Sequence, residues 1–219
     1  MWSIMNKSFN KYISLISNAV LSGIMISVGG AVYLLCENKI MGSFLFSFGL
    51  FTIVQRGFAL YTGKVGYTPE NSPVYILETL LTLAGNIIGT AFGVFMLKQT
   101  RFGVCLREKA AASMDIKTSD SIASQLILAV FCGMLMFLAV DNAKECRKKD
   151  ADTSFVFGIC IPVMIFILCG FNHSVADAFY MFSAGTFPED ILYILTVAAG
   201  NAAGGMMMPF IRKFCSAEK

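Results

Sequence analysis

The feature that most constrains this chain is the spacing of its charges. They lie in short clusters, separated by neutral apolar runs long enough to cross a bilayer. Charged residues make up 14% of the sequence and hydrophobic residues 56%. A soluble domain is about one quarter charged. The expectation is an all-α integral membrane protein whose residues 1–219 form a single transmembrane domain.

The net charge of +3 does not point to nucleic acid. The basic residues sit in short connections without interleaved aromatics, where membrane topology requires cations. The seven cysteines (Cys36, Cys105, Cys132, Cys146, Cys160, Cys169 and Cys215) have no CxxC pair and irregular spacing, which is neither a disulfide framework nor a metal site. They read as small, buried, reduced residues. No metal or other cofactor is expected. The run from Tyr12 to Cys36, preceded by Lys7 and Lys11, is too long for the apolar region of a signal peptide and is expected to stay in the mature protein.

Six spans follow in order: Tyr12 to Cys36, Ile40 to Gly63, Val74 to Leu97, Ser121 to Val140, Thr153 to Phe182, and Ile191 to Ile211. The second is interrupted at Arg56-Gly57. The fifth is interrupted at Gly170 and the polar Asn172 to Ser174. Lys98 to Asp120 reads as a polar loop, and Asp141 to Asp152 as a charged connection. Six spans put both termini on one side. With that side inside, the inner cations are Lys7, Lys11, Lys64, Lys144, Arg147, Lys148, Lys149, Arg212, Lys213 and Lys219. The outer set, Lys39, Lys98, Arg101, Arg107, Lys109 and Lys117, is smaller. Both termini are therefore expected in the cytoplasm of a cell with this protein in its inner membrane.

The only histidine, His173, lies inside Gly170-Phe171-Asn172-His173-Ser174-Val175-Ala176-Asp177, at the break of the fifth span. A titratable group at membrane depth is expensive and marks a functional site. The alternative is a packed histidine that only holds the bundle.

The two halves of the chain echo one another. Gly57-Phe58 matches Gly170-Phe171, and Gly85-Asn86-Ile87-Ile88-Gly89 matches Gly200-Asn201-Ala202-Ala203-Gly204. Three spans per half is an odd number, so the halves, about 12–98 and about 119–213, lie in opposite orientations. That is an inverted 3+3 repeat with interrupted second and fifth helices, a plan that places sites at the midplane. Both Gly-Asn-x-x-Gly motifs also suit close helix packing. Each asparagine is placed to bond a backbone carbonyl freed at the neighbouring break.

With these residues in hand, the chain resembles the formate/nitrite transporter family. The resemblance rests on Gly170 to Asp177, on Phe46-Ser47-Phe48-Gly49-Leu50 with Gly57-Phe58-Ala59-Leu60-Tyr61-Thr62, and on both asparagine motifs. It implies an aquaporin-like protomer, a homo-pentamer with one pore per protomer, and passage of small monovalent anions such as formate and nitrite, or hydrosulfide in one branch. It further implies that Phe46, Leu50, Leu60, Tyr61 and Phe166 constrict the pore. Thr62 faces His173 across the central chamber beside Asn172, and Lys117 attracts anions. The chain departs from the family pattern at Ala59 and Asn172, where acids are usual, at Asp177 in place of an asparagine, and at Gly133 in place of an asparagine. The segment after Thr62 is expected to be short.

The anion of a weak acid is strongly disfavoured in a dry constriction, whereas its neutral form is not. The implied mechanism concentrates the anion at Lys117 and neutralises it with a proton from water or His173. Two other readings compete. A redox membrane subunit with bis-histidine haem needs two histidines, and the cysteines lack iron–sulfur spacing. A neutral-solute pore like an aquaporin lacks its tandem Asn-Pro-Ala here. An enzyme is not indicated.

Overall fold

The computed structural model describes residues 2–149 and 151–216, with side chains placed for 9–149, 151 and 153–211. Lys7, Arg212, Lys213, Lys219 and Cys215 therefore lie outside the described side chains. Among the described residues all regular structure is helical. The helices are α1 (Trp2–Leu35), α2 (Lys39–Arg56), α3 (Tyr61–Lys64), α4 (Pro73–Lys98), α5 (Gly103–Ser119), α6 (Ile122–Lys148), α7 (Asp152–Leu168), α8 (Ser174–Ala184) and α9 (Ile191–Ser216). A 3₁₀ segment, Val65–Glu70, continues α3.

Helices α1, α4, α6 and α9 are each long and apolar enough to cross a membrane. Helix α2 and the continuous piece Tyr61–Glu70 form a broken span bent by 55°, and α7 is followed, after a turn at Gly170, by α8. This arrangement is compatible with six crossings. Large apolar side chains such as Phe48, Phe92, Phe95, Phe131 and Leu192 face outward, as expected where the surrounding medium is hydrocarbon.

Both breaks are built the same way. Gly57 (φ 70°) and Gly170 (φ 69°) turn the chain in the left-handed region that only glycine enters without strain. Phe58 then donates its N–H to Ile53 O and Phe171 donates to Phe166 O, both at 2.9 Å, closing matched helix ends. After the first break the continuing helix is one turn, α3, followed by the 3₁₀ segment, so the second half of that span is short, as expected.

The repeat reappears in packing. Gly85 lies against Ala19 and Gly200 against Ala129; Gly89 meets the backbone of Val20 and Gly204 that of Val130. Helices α1 and α4 thus sit backbone to backbone, and so do α6 and α9. A methyl group at Gly89 or Gly204 would run into a main-chain carbonyl, and one at Gly85 or Gly200 into an alanine Cβ, which is why small residues recur there.

Two segments differ from the sequence expectation. Residues 98–120 are mostly helix α5 rather than a polar loop. Ala, Leu, Glu, Lys and Arg favour helix whatever the segment's hydropathy, and Leu106, Ala110 and Met114 form a narrow buried stripe on it. Helix α6 also continues about two turns past Val140, through Lys148. Asp141 and Ala143 are buried on that extension while Lys148 is exposed. The cysteines are free where described, but only Cys132 and Cys160 are buried; Cys169 is exposed. The expectation of uniformly buried thiols is corrected accordingly, since several sit at helix ends or outer faces.

Candidate functional site

The centre of the molecule is where the two breaks meet. Asn86 on α4 accepts the Tyr61 N–H at 2.8 Å and donates to Ala19 O (2.8 Å) and Ala59 O (2.9 Å). Asn201 on α9 accepts the Ser174 N–H at 2.9 Å and donates to Ala129 O and Asn172 O, both 2.8 Å. Each asparagine is fully buried and uses three of its four hydrogen-bonding positions on backbone. Each ties the first peptide of a half-helix to the long helix of its own half, satisfying groups that a break in hydrocarbon would leave bare.

These junctions present His173 and Thr62 to each other. Thr62 Oγ1 and His173 Nε2 are 3.0 Å apart, and both residues are buried. His173 also caps α8, its Nδ1 accepting the Ala176 N–H at 3.1 Å. The imidazole stacks on Phe166 with ring centres 5.3 Å apart, and Phe166 meets Phe46 edge-on at 5.8 Å. Phe46, Leu50, Leu60, Tyr61 and Phe166 all belong to one buried apolar cluster.

Two separate cavities adjoin this cluster. One, about 210 Å³, is bordered by Phe166, Gly170, Phe171, Lys117, Asp177 and Tyr180 among others. The other, about 280 Å³, is bordered by Leu50, Leu60, Gly57, Lys64, Lys144 and Arg147 among others. Lys117 comes from the last turn of α5 and reaches across to the second break. Its Nζ donates to Asn172 Oδ1 (2.9 Å) and Gly170 O (3.3 Å) and is 3.2 Å from Asp177 Oδ1. Tyr193 OH donates to Asp177 Oδ2 at 2.8 Å.

The sequence-derived residues therefore divide. His173, Thr62, Phe166 and Phe46 converge at the centre, Leu50 and Leu60 border the second cavity, and Lys117 borders the first. Tyr61 and Asn172 border neither of these cavities. The Tyr61 hydroxyl is turned to Ala198 O (3.0 Å) on α9. Asn172 is wholly buried and acts as a strut, donating to Gln125 O at 3.2 Å while accepting from Lys117.

Sequence reasoning underrated Asp177, noticed only as a departure, and missed Tyr193. It counted Lys64, Lys144 and Arg147 only for topology. Lys64 pairs with Glu78 (3.2 Å), Lys144 stands 3.4 Å from the centre of the Tyr67 ring, and Arg147 donates to Val54 O and Gln55 O. Among the described residues no group of three or more His, Cys, Asp or Glu side chains is arranged to hold a metal ion.

The sequence model described as "Formate/nitrite transporter" matches residues 3–212. The uncharacterized transporter YrhG of Bacillus subtilis (strain 168) is 27% identical over 201 residues, spanning 83% of this chain and 73% of that protein. The formate channel FocB of Escherichia coli (strain K12) is 21% identical over 190 residues, spanning 76% of this chain and 65% of that protein. Among solved structures, a pentameric formate channel with formate bound superposes with a TM-score of 0.79, covering 96% of this chain and 99% of that one at 21% identity. An FNT family ion channel gives 0.77 at 18% identity, covering 97% and 92%. At these identities the structural likeness carries the fold.

Proposed function

Because this multi-pass membrane protein belongs to the formate/nitrite transporter family, a family of transport proteins rather than enzymes, we propose that it passes formate, nitrite or a similar small monovalent weak-acid anion through a pore in each protomer. The observation that carries the reading is the His173–Thr62 pair. It sits 3.0 Å across against an aromatic and aliphatic cluster that two cation-bordered cavities adjoin.

The chemistry follows from that arrangement. Cations at both cavities raise the local concentration of an anion. The cluster around Phe46, Phe166, Leu50 and Leu60 then opposes a bare charge, because moving an unpaired ion from water into an apolar setting costs many kcal/mol. Taking up a proton removes that barrier. Water in the cavities is one source of the proton, and His173 is the other titratable group at the constriction. The Thr62 and His173 side chains supply hydrogen-bonding atoms to the passing molecule, and α8 adds the positive end of its helix dipole.

The name and assembly of the solved formate channel support two further parts of the proposal: formate as the first substrate to try, and a pentamer as the working oligomer. A cell-membrane location with both termini cytoplasmic completes it, with protons and lipid as the other partners.

The test is flux into liposomes holding the purified protein, with formate, nitrite, hydrosulfide and glycerol compared across pH. Flux of one or more of the anions, rising as pH falls, is the expected result and names the cargo. Glycerol flux without anion flux would replace this reading with a neutral-solute pore.

A further inference from the structure

The Lys117 ammonium has three N–H donors, and the structure gives it three acceptors: Gly170 O, Asn172 Oδ1 and Asp177 Oδ1. An arriving anion finds no donor open. It can take hold of Lys117 only by displacing one acceptor. Two of the three are neutral. The third, Asp177, is itself a carboxylate, fully buried on the first turn of α8 and bordering the same cavity as Lys117. Its second oxygen is held by the Tyr193 hydroxyl from α9.

We infer that Asp177 acts as a tethered competitor for the permeating anion, setting how tightly the mouth of the pore holds its cargo by occupying the ammonium that the cargo must reach. This rests on the anion-passing function proposed above and assigns a specificity-determining role to Asp177 and a positioning role to Tyr193. The displaced carboxylate keeps the Tyr193 hydroxyl while the anion sits on Lys117. Tyr193 therefore lowers the cost of the exchange. The cargo this arrangement suits is one that can replace a carboxylate on an ammonium, namely a small monocarboxylate or another planar oxyanion of single charge.

The two residues make opposite predictions. Asp177→Asn keeps the shape and an acceptor for Lys117 but removes the competing charge. Its half-saturating formate concentration falls by roughly fivefold, the order expected for one partly screened charge pair. Tyr193→Phe leaves both charges in place and removes the bond that receives the displaced carboxylate, so half-saturation rises. Both are read from the concentration dependence of formate flux in proteoliposomes, with the amount of folded oligomer checked for each variant. A merely structural role would lower maximum flux in both and leave half-saturation alone.

Half-saturation unchanged or raised in Asp177→Asn overturns the inference, and so does half-saturation unchanged or lowered in Tyr193→Phe. The second variant decides alone if Asp177→Asn, which leaves an ammonium without its counter-charge, does not assemble. Absence of anion flux from the unaltered protein overturns the anion reading itself, and this inference with it.

Discussion

His173 Nδ1 accepts the amide hydrogen of Ala176 at 3.1 Å. A backbone N–H can only donate, so Nδ1 carries no proton and the ring's hydrogen sits on Nε2, facing Thr62 Oγ1. At rest the histidine is a neutral donor toward Thr62 and a helix cap at the same time. A second proton on the ring requires the first turn of α8 to release its cap.

His173→Asn separates these duties. Asparagine caps helices well and offers a donor, but it does not titrate near neutrality. The variant is expected to fold, to carry less formate, and to show an altered pH profile of flux. Flux measured at a series of pH values checks this. A profile parallel to that of the unaltered protein would leave His173 a hydrogen-bonding role and no part in proton transfer.

Lys117→Glu inverts the charge at the first cavity and places a second carboxylate beside Asp177, which is 3.2 Å from the lysine ammonium. Like charges at that range repel, and the anion loses its point of attraction. Formate uptake at low concentration is expected to fall by at least about tenfold, the change that 1.4 kcal/mol produces. Equal uptake would reduce Lys117 to a brace for Asn172 and Gly170.

Asn86→Ala and Asn201→Ala should cost the protein similar stability, because each asparagine makes the same three backbone bonds. Hydrogen bonds between membrane helices are individually modest, but three buried backbone groups lose their partner at once, for a total of about 2–3 kcal/mol. Thermal unfolding in detergent measures the two variants side by side. A large loss in one and none in the other would mean the two junctions are not equivalent.

The glycines separate strain from crowding. At Gly170 a methyl group meets nothing within 4 Å, so Gly170→Ala adds only the cost of a left-handed alanine, about 1–2 kcal/mol. At Gly204 the same methyl group collides with the Val130 carbonyl. Helices α6 and α9 must then part along the contact, with a larger loss in melting temperature. Melting curves of the two variants, with Gly57→Ala as a companion to Gly170→Ala, rank the effects.

The breaks and the asparagine junctions were legible in the sequence because local chemistry dictates both. Glycine joined to polar residues inside an apolar run, as at Arg56-Gly57 and Gly170 with Asn172 to Ser174, is where a span turns, and an asparagine at membrane depth needs partners that a break supplies. Helix α5 was not legible, since Gly103 to Ser119 is neither apolar enough for a span nor marked by a turn at its interior. The role of Asp177 was hidden for a different reason. Lys117 and Tyr193 reach it from two other helices, α5 and α9, and no spacing rule within α8 announces them. Tyr61 was grouped with the apolar constriction by position, but its hydroxyl was free to find Ala198 O on α9, and side-chain direction of that kind is set by packing alone.

The two asparagine junctions have one more property. Every backbone bond made by Asn86 goes to residues 19–61, and every one made by Asn201 goes to residues 129–174. Neither lock borrows anything from the other half. A nascent chain emerging from the ribosome can therefore fasten its first three spans before the second lock has been synthesised. His173 meets Thr62 only afterwards, once the second half has joined the first.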